Sequence, residues 1–260
     1  MLYNRCILFS MRALFAGALL LSVPLVPGLQ NTATGSNATD HPTQVNAPSQ
    51  LEKAANEAHN AGHIGEEIDY RQQFSRAEWA AFAHDPHSLN EYDRYNLVYL
   101  NDLPLGLLLE GSHRFSEAEI TFRHNQVELA SERIAGDDIK AQNELQLAHL
   151  LSSKGNNREA ESICSHLKKR MRHLAGTQDS AHLYGIPKAP TYDTPEVEVA
   201  RWDLACGNPD EGLRLIAEQI AAHPHMLASF TVLENYYYAQ GNFQMARKAE
   251  SNGALAVSGK

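Results

Sequence analysis

The strongest constraint in this chain is a spacing that recurs. Leu105 to Phe122, LGLLLEGSHRFSEAEITF, is apolar at helical intervals, breaks once around Gly111 and then turns amphipathic. The same order returns along the chain: a helical apolar run, a turn residue, and a small residue five positions on. His113 precedes Ala118, Gly155 precedes Ala160, Gly207 precedes Gly212, and Gly241 precedes Ala246. A weaker copy holds Ala54, Ala55, Ala58 and a turn at Gly62. Small residues let two antiparallel helices approach closely, and glycine reverses the chain between them, so the pattern predicts a series of helical hairpins. A generic helical bundle also carries Ala and Leu at helical spacing, but the shared offset in four copies favours a repeat. No run of alternating β-branched residues is present, and sheet is not expected.

Leucine–glycine, then an aromatic, alanine, phenylalanine and proline at set offsets is the tetratricopeptide signature, and Leu105–Gly106, Leu109, His113, Ala118 and Phe122 fall on its spacing. Over residues 51–257 the chain resembles that family. The resemblance implies an all-α fold, a right-handed superhelical array of antiparallel helix hairpins forming an α-solenoid. Turn-to-turn spacings of 51, 42, 52 and 34 residues mark the repeats as irregular, since only the last equals the family's length of about 34. An inserted loop at 174–195 accounts for one long interval; its Pro- and Gly-punctuated stretch, GTQDSAHLYGIPKAPTYDTP, runs from Gly176 to Pro195.

The N-terminus reads differently. Arg5 and Arg12 precede an apolar stretch from Ala13 to Leu29, with no acidic residue. Residues 1–30 therefore read as a secretory signal peptide, with an uncleaved membrane anchor as the alternative. Residues 31–50, rich in Asn, Thr, Ser and Pro, read as a flexible linker that cannot offset its ordering entropy by burial. The expected location is the periplasm or the extracellular space. Cys6 lies in the leader, leaving Cys164 and Cys206. An oxidising compartment permits a disulfide between them, but two isolated cysteines make no framework, and buried free thiols are the simpler expectation.

Net charge is −9, and no dense Lys/Arg stripe interrupts it. A nucleic-acid partner, which needs a basic face, is excluded. Thirteen histidines invite a metal reading. His59 and His63 stand four apart, but Gly62 lies between them at the expected turn, and no third ligand stands at metal spacing. GNPDEGLR, from Gly207, lacks the Lys-Ser/Thr of a phosphate loop, and SHLK at 165–168 lacks the companions of a serine acyl-enzyme. No nucleophile has a base and an orienter, so no catalytic, cofactor or metal residue is assigned, no cofactor is expected, and the protein is read as a non-enzyme.

What remains is a surface. The resemblance implies that the first helix of each hairpin lines a concave face. By spacing, that face carries Asn56, His59, Leu107, Glu110, His149, Ser152, Arg201, Leu204, Asn235 and Tyr238. In the ENYYYAQG run, Tyr237 takes the family's packing position, which leaves Tyr236 or Tyr238 for a groove. The family's clamp for acidic tails needs lysines where this chain has Glu52, Leu103, Leu145, Val197 and Thr231, so that ligand class is rejected. The reading is an exported scaffold or adaptor binding a protein or peptide, with the membrane involved only through an uncleaved N-terminus. The alternatives are a membrane-anchored envelope-assembly component, and a periplasmic enzyme or ligand receptor with its site in the 176–195 insertion.

Overall fold

The structure, a computed structural model, describes residues 47–85, 91–130, 137–176 and 194–258. All of these belong to the unit Asn46–Lys260. The leader, nearly all of the linker and most of the 174–195 loop lie outside the described residues. Among the described residues every regular element is helical and no strand occurs. The helices are α1 (Pro48–Ala61), α2 (Ile64–His84), α3 (Glu91–Leu97), α4 (Leu103–Gly111), α5 (Phe115–Ala130), α6 (Asp137–Ser153), α7 (Asn157–Gly176), α8 (Pro195–Cys206), α9 (Pro209–Ala222), α10 (Leu227–Ala239) and α11 (Phe243–Ser258). A π-helical turn, Val98–Asp102, joins α3 to α4.

The expected turns are where the helices reverse. Gly62, His113, Gly155 and Gly241 all have positive φ, at 84°, 60°, 82° and 69°. Gly207 departs from the pattern with φ −122°. There the next helix is started by Asn208, whose side chain accepts from the Asp210 amide, and by Pro209 in the first turn. Each small residue five places after these turns is buried: Ala118, Ala160 and Ala246 in the core, and Gly212 against Leu204. The helix pairs α1–α2, α4–α5, α6–α7, α8–α9 and α10–α11 therefore pack tightly, as their spacing requires. Phe122 fills the space above Gly106, where a Cβ would collide with the ring. Between α5 and α6, Asn143 Nδ2 donates to the Phe122 carbonyl at 2.8 Å and Asn125 Nδ2 donates to Asn143 Oδ1 at 3.0 Å, a buried polar peg that fixes their register.

The π turn has a cause in the sequence. Pro104 has no N–H for the carbonyl four residues back, that of Leu100. The helix widens just before it, with the Leu103 amide reaching the Val98 carbonyl. Arg71 of α2 takes the Leu100 carbonyl instead, at 3.1 Å. Asp102, at the end of the turn, accepts from Trp79 Nε1 at 2.7 Å and from Asn101 Nδ2 at 2.8 Å.

The hairpins do not continue as an open array. The first helix of the last hairpin, α10, packs on α4 of the second as well as on α8. At this closure Gly111 meets the turn before α11. A Cβ on Gly111 would overlap the Tyr238 carbonyl, and one on Gly241 would overlap the Gly111 carbonyl. The described residues form three apolar cores. One joins Ile68, the α4 leucines, Phe122, Leu147 and Leu151 to Tyr238, Ala239 and Ala246. Another joins Val197, Ala200, Leu204 and Ile216 to Met226, Ala228 and Val232. The smallest joins Val98, Leu129 and Ile139.

The cysteines are not free thiols. Cys164 of α7 is bonded to Cys206 at the end of α8, with Cα atoms 5.7 Å apart and 42 residues between them in sequence. Trp202 reinforces the junction: its Nε1 donates to the Cys164 carbonyl at 3.1 Å, and the Lys168 ammonium sits 4.2 Å from its ring centre. The free-thiol expectation fails because α7 and α8 pack side by side, a proximity that two lone cysteines cannot announce.

Gly111→Ala forces backbone apart at the closure and should cost ~1–3 kcal/mol in a thermal melt. Gly65→Ala, with open space around its would-be Cβ, should leave stability unchanged or raise it by up to ~1 kcal/mol. Reduction of Cys164–Cys206 should lower stability by ~2–4 kcal/mol, and a Cys164→Ser, Cys206→Ser double variant should reproduce that loss without reductant.

Candidate functional site

Three first helices meet at a cleft. Gln142, Gln146 and His149 come from α6; Arg201, Leu204 and Ala205 from α8; Val232, Asn235, Tyr236 and Ala239 from α10. The floor is apolar, through Leu204, Val232 and the two alanines. The walls carry three carboxamides, and Gln142, Gln146 and Asn235 make no side-chain hydrogen bond among the described residues. Arg201 is buried and paired with Glu198 on the same helix. The cleft is partly open to solvent, and its volume is about 20 Å³, roughly the room of one water.

The ten residues assigned by spacing divide accordingly. His149, Arg201, Leu204 and Asn235 do come together in the cleft. Leu107 and Glu110 on α4 are buried instead, because α10 covers the face they occupy. Asn56 and Ser152 are exposed and do not line the cleft. Tyr238 is 6% exposed and packs with Phe243, at 6.1 Å between ring centres, so it is Tyr236 that borders the cleft. An open concave face carrying all ten is therefore not what the packing forms. At its edge, Gln240 Nε2 lies 3.0 Å from His149 Nε2. With Gln240 donating there, His149 Nδ1 donates to Glu110 at 2.7 Å. Burial raises the Glu110 pKa, against the His149 bond.

His59 belongs to a second cluster, where the first hairpin meets the last. Its Nδ1 donates to Glu67 of α2 at 3.1 Å and its Nε2 donates to Glu250 of α11 at 3.0 Å. An imidazole that donates from both nitrogens is an imidazolium. Hydrogen bonds to Glu250 and then Glu67 raise the His59 pKa from 6.5 to about 10, against burial. Glu67 is 1% exposed. Burial pushes its pKa up, but the His59 bond and Arg71, whose Nε donates at 2.9 Å, bring it below its usual value. Glu234 of α10 has no such partner among the described residues. Burial, then the charge of Glu250, pushes it up to about 8, with His59 and Arg71 opposing. The Arg247 guanidinium lies over Gly62 at the end of α1, where a Cβ would strike Nη1.

Neither cluster is a metal centre: among the described residues no group of three or more His, Cys, Asp or Glu side chains is arranged to hold a metal ion. His63, whose pairing with His59 the sequence already disfavoured, is exposed and faces Glu66 at 3.5 Å. Sequence reasoning missed Glu67, Glu234, Arg71 and Glu250. Glu67 did carry a signal: it stands five residues after Gly62, in the slot that holds Ala or Gly in the other hairpins. A carboxylate in a small-residue slot marks a repeat whose neighbour is polar. Compared with protein-family models, with curated proteins and with solved structures, the chain matches none.

The cluster sets a pH dependence. His59 keeps in the folded state a proton that the unfolded chain releases above 6.5, so its contribution is complete below 6.5 and lost as pH rises through about 10. Glu234 has the same sign, with its window from the usual 4.5 to about 8. Glu67 has the opposite sign and loses its contribution as pH falls below the usual carboxylate range. Thermal stability should therefore fall from pH 6.5 towards 10, less steeply in His59→Gln. Glu250→Gln should cost up to ~1 kcal/mol near pH 6, the small value reflecting a partly exposed partner.

Proposed function

We propose that the protein is an exported, non-enzymatic helical-repeat adaptor that binds an extended peptide segment of another protein. Its hairpins succeed one another in the manner of a right-handed tetratricopeptide-like superhelix, and the binding face is the cleft walled by α6, α8 and α10. The reading of the repeats is supported by left-handed turn residues at Gly62, His113, Gly155 and Gly241 and by buried small residues at the matched offset. Export is supported by the Cys164–Cys206 bond, since disulfides persist in oxidising compartments.

The observation that carries the proposal is the set of carboxamides. Gln142 and Gln146 project from α6 and Asn235 from α10 over an apolar floor, beside Arg201. A carboxamide both donates and accepts, which matches the alternating N–H and C=O groups of an extended backbone. The apolar floor takes one or two side chains of that segment. Such a face reads backbone and shape rather than charge.

Selection from a random peptide library, followed by fluorescence anisotropy on the enriched sequences, tests this. Asn235→Ala and Gln142→Ala should each weaken binding by ~10-fold, a loss of about 1.4 kcal/mol, with the melting curve unchanged. Enriched peptides that bind both variants as well as wild type would place the binding face elsewhere.

A further inference from the structure

We infer that the cleft is the mouth of a jaw: α8–α11 parts from α1–α7 at the seam around His59, Gly111 and Gly241, while Cys164–Cys206 holds the two parts together at the opposite side. This rests on the cleft being the binding face, and it supplies what that reading lacks. As it stands the cleft has room for about one water, too little to enclose the one or two side chains that reading places on its floor.

The walls of the cleft come from both parts, Gln142, Gln146 and His149 from the first, Arg201 and Asn235 from the second. One junction between the parts is covalent and is braced by Trp202 and Lys168. The other, the seam, has no covalent bond: it combines the His59–Glu250 bridge, the Gln240–His149 contact and the glycine-to-glycine approach of Gly111 and Gly241 with an apolar edge. Of α10 and α11, only Tyr238, Ala239 and Ala246 enter the fully buried core on the far side, with Tyr237 and Phe243 at its margin. The rest of α10 packs with α8 and α9 and would travel with them.

Closure also leaves polar groups unsatisfied. The Tyr238 hydroxyl and the Nε and Nη2 of Arg247 are buried with no hydrogen-bond partner among the described residues. Groups of this kind disfavour the closed form, because opening returns them to water. The seam is thus held by a bridge and opposed by stranded donors, which is how a closure stays reversible.

Protons bias it. His59 is faced by Glu67 and Arg71 from α2, by Glu250 and Arg247 from α11, and by Glu234 and Tyr238 from α10. His59 and Glu234 both bind their protons more tightly in the closed form than in water. Opening releases them, so rising pH favours the open jaw, most steeply where the two windows overlap, between 6.5 and about 8.

Fluorophores introduced by unnatural amino acids leave the disulfide intact and report on both junctions. Lys53 of α1 and Lys248 of α11 span the seam, and Glu161 of α7 with Ala217 of α9 spans the covalent side; all four side chains are exposed. In wild type the long-distance population of the seam pair should rise by about ten-fold or more per pH unit across the overlap. Folded Glu250→Gln should raise that population by up to about five-fold at pH 6, and the covalent-side pair should not move. A seam distance that is the same at pH 6 and 9 overturns the jaw, whatever the variant does. Because the readout needs no peptide, a jaw that opens while no library peptide binds would remove the adaptor reading and leave the jaw standing.

Discussion

One imidazole ties the first hairpin of this protein to the last. His59 donates to Glu67 on one side and Glu250 on the other, across 191 residues of sequence. The bridge is the end of a chain of dependencies that begins with a proline. Pro104 denies a partner to the Leu100 carbonyl; Arg71 supplies one and is thereby placed beside Glu67; Glu67 is held ionised at 1% exposure and so keeps His59 charged. A buried carboxylate needs such company, since an unpaired one would be driven to its neutral form. Each member of the chain is the reason the next can be where it is.

The geometry around the bridge demands that nothing larger than hydrogen project from Gly111 or Gly241. Closure at that point turns the first helices towards one another and buries surface that an open array would present to solvent. It also gives the molecule an asymmetry. α7 and α8 are joined by a covalent bond and an indole, whereas the seam is joined non-covalently, by an ion bridge, two glycines and the edge of an apolar core. Local stability in folded proteins varies in this way, and the elements that move are drawn from the weaker end. The cleft and its carboxamides lie between the strong junction and the weak one.

The sequence made the hairpins legible because each is a local structure. A turn residue at Gly62, His113, Gly155 or Gly241 and a small residue five later are determined by the backbone of one helix pair, and both can be read within twenty residues of text. At Gly207 the offset was right although the backbone was not, because Asn208 and Pro209 supplied the turn chemistry instead. The meeting of α10 with α4 is non-local, and no spacing encodes it. Its consequence is that Leu107, Glu110 and Tyr238, all placed on a concave face by offset, are buried, while Tyr236 borders the cleft. The pairing of Cys164 with Cys206 was hidden for the same reason. Glu67 was the exception, a visible misfit in a small-residue slot that pointed to a polar neighbour without naming it.

The bridge is open to direct measurement. A long-range nitrogen–proton NMR titration of the His59 imidazole in the intact protein reports its protonation state without reference to any partner. In the closed form the imidazolium should titrate near 10, with both ring protons protected from exchange. A His59 that titrates near 6.5, the value of a free imidazole, would contradict this and would leave the first and last hairpins without the tie on which the closed arrangement depends.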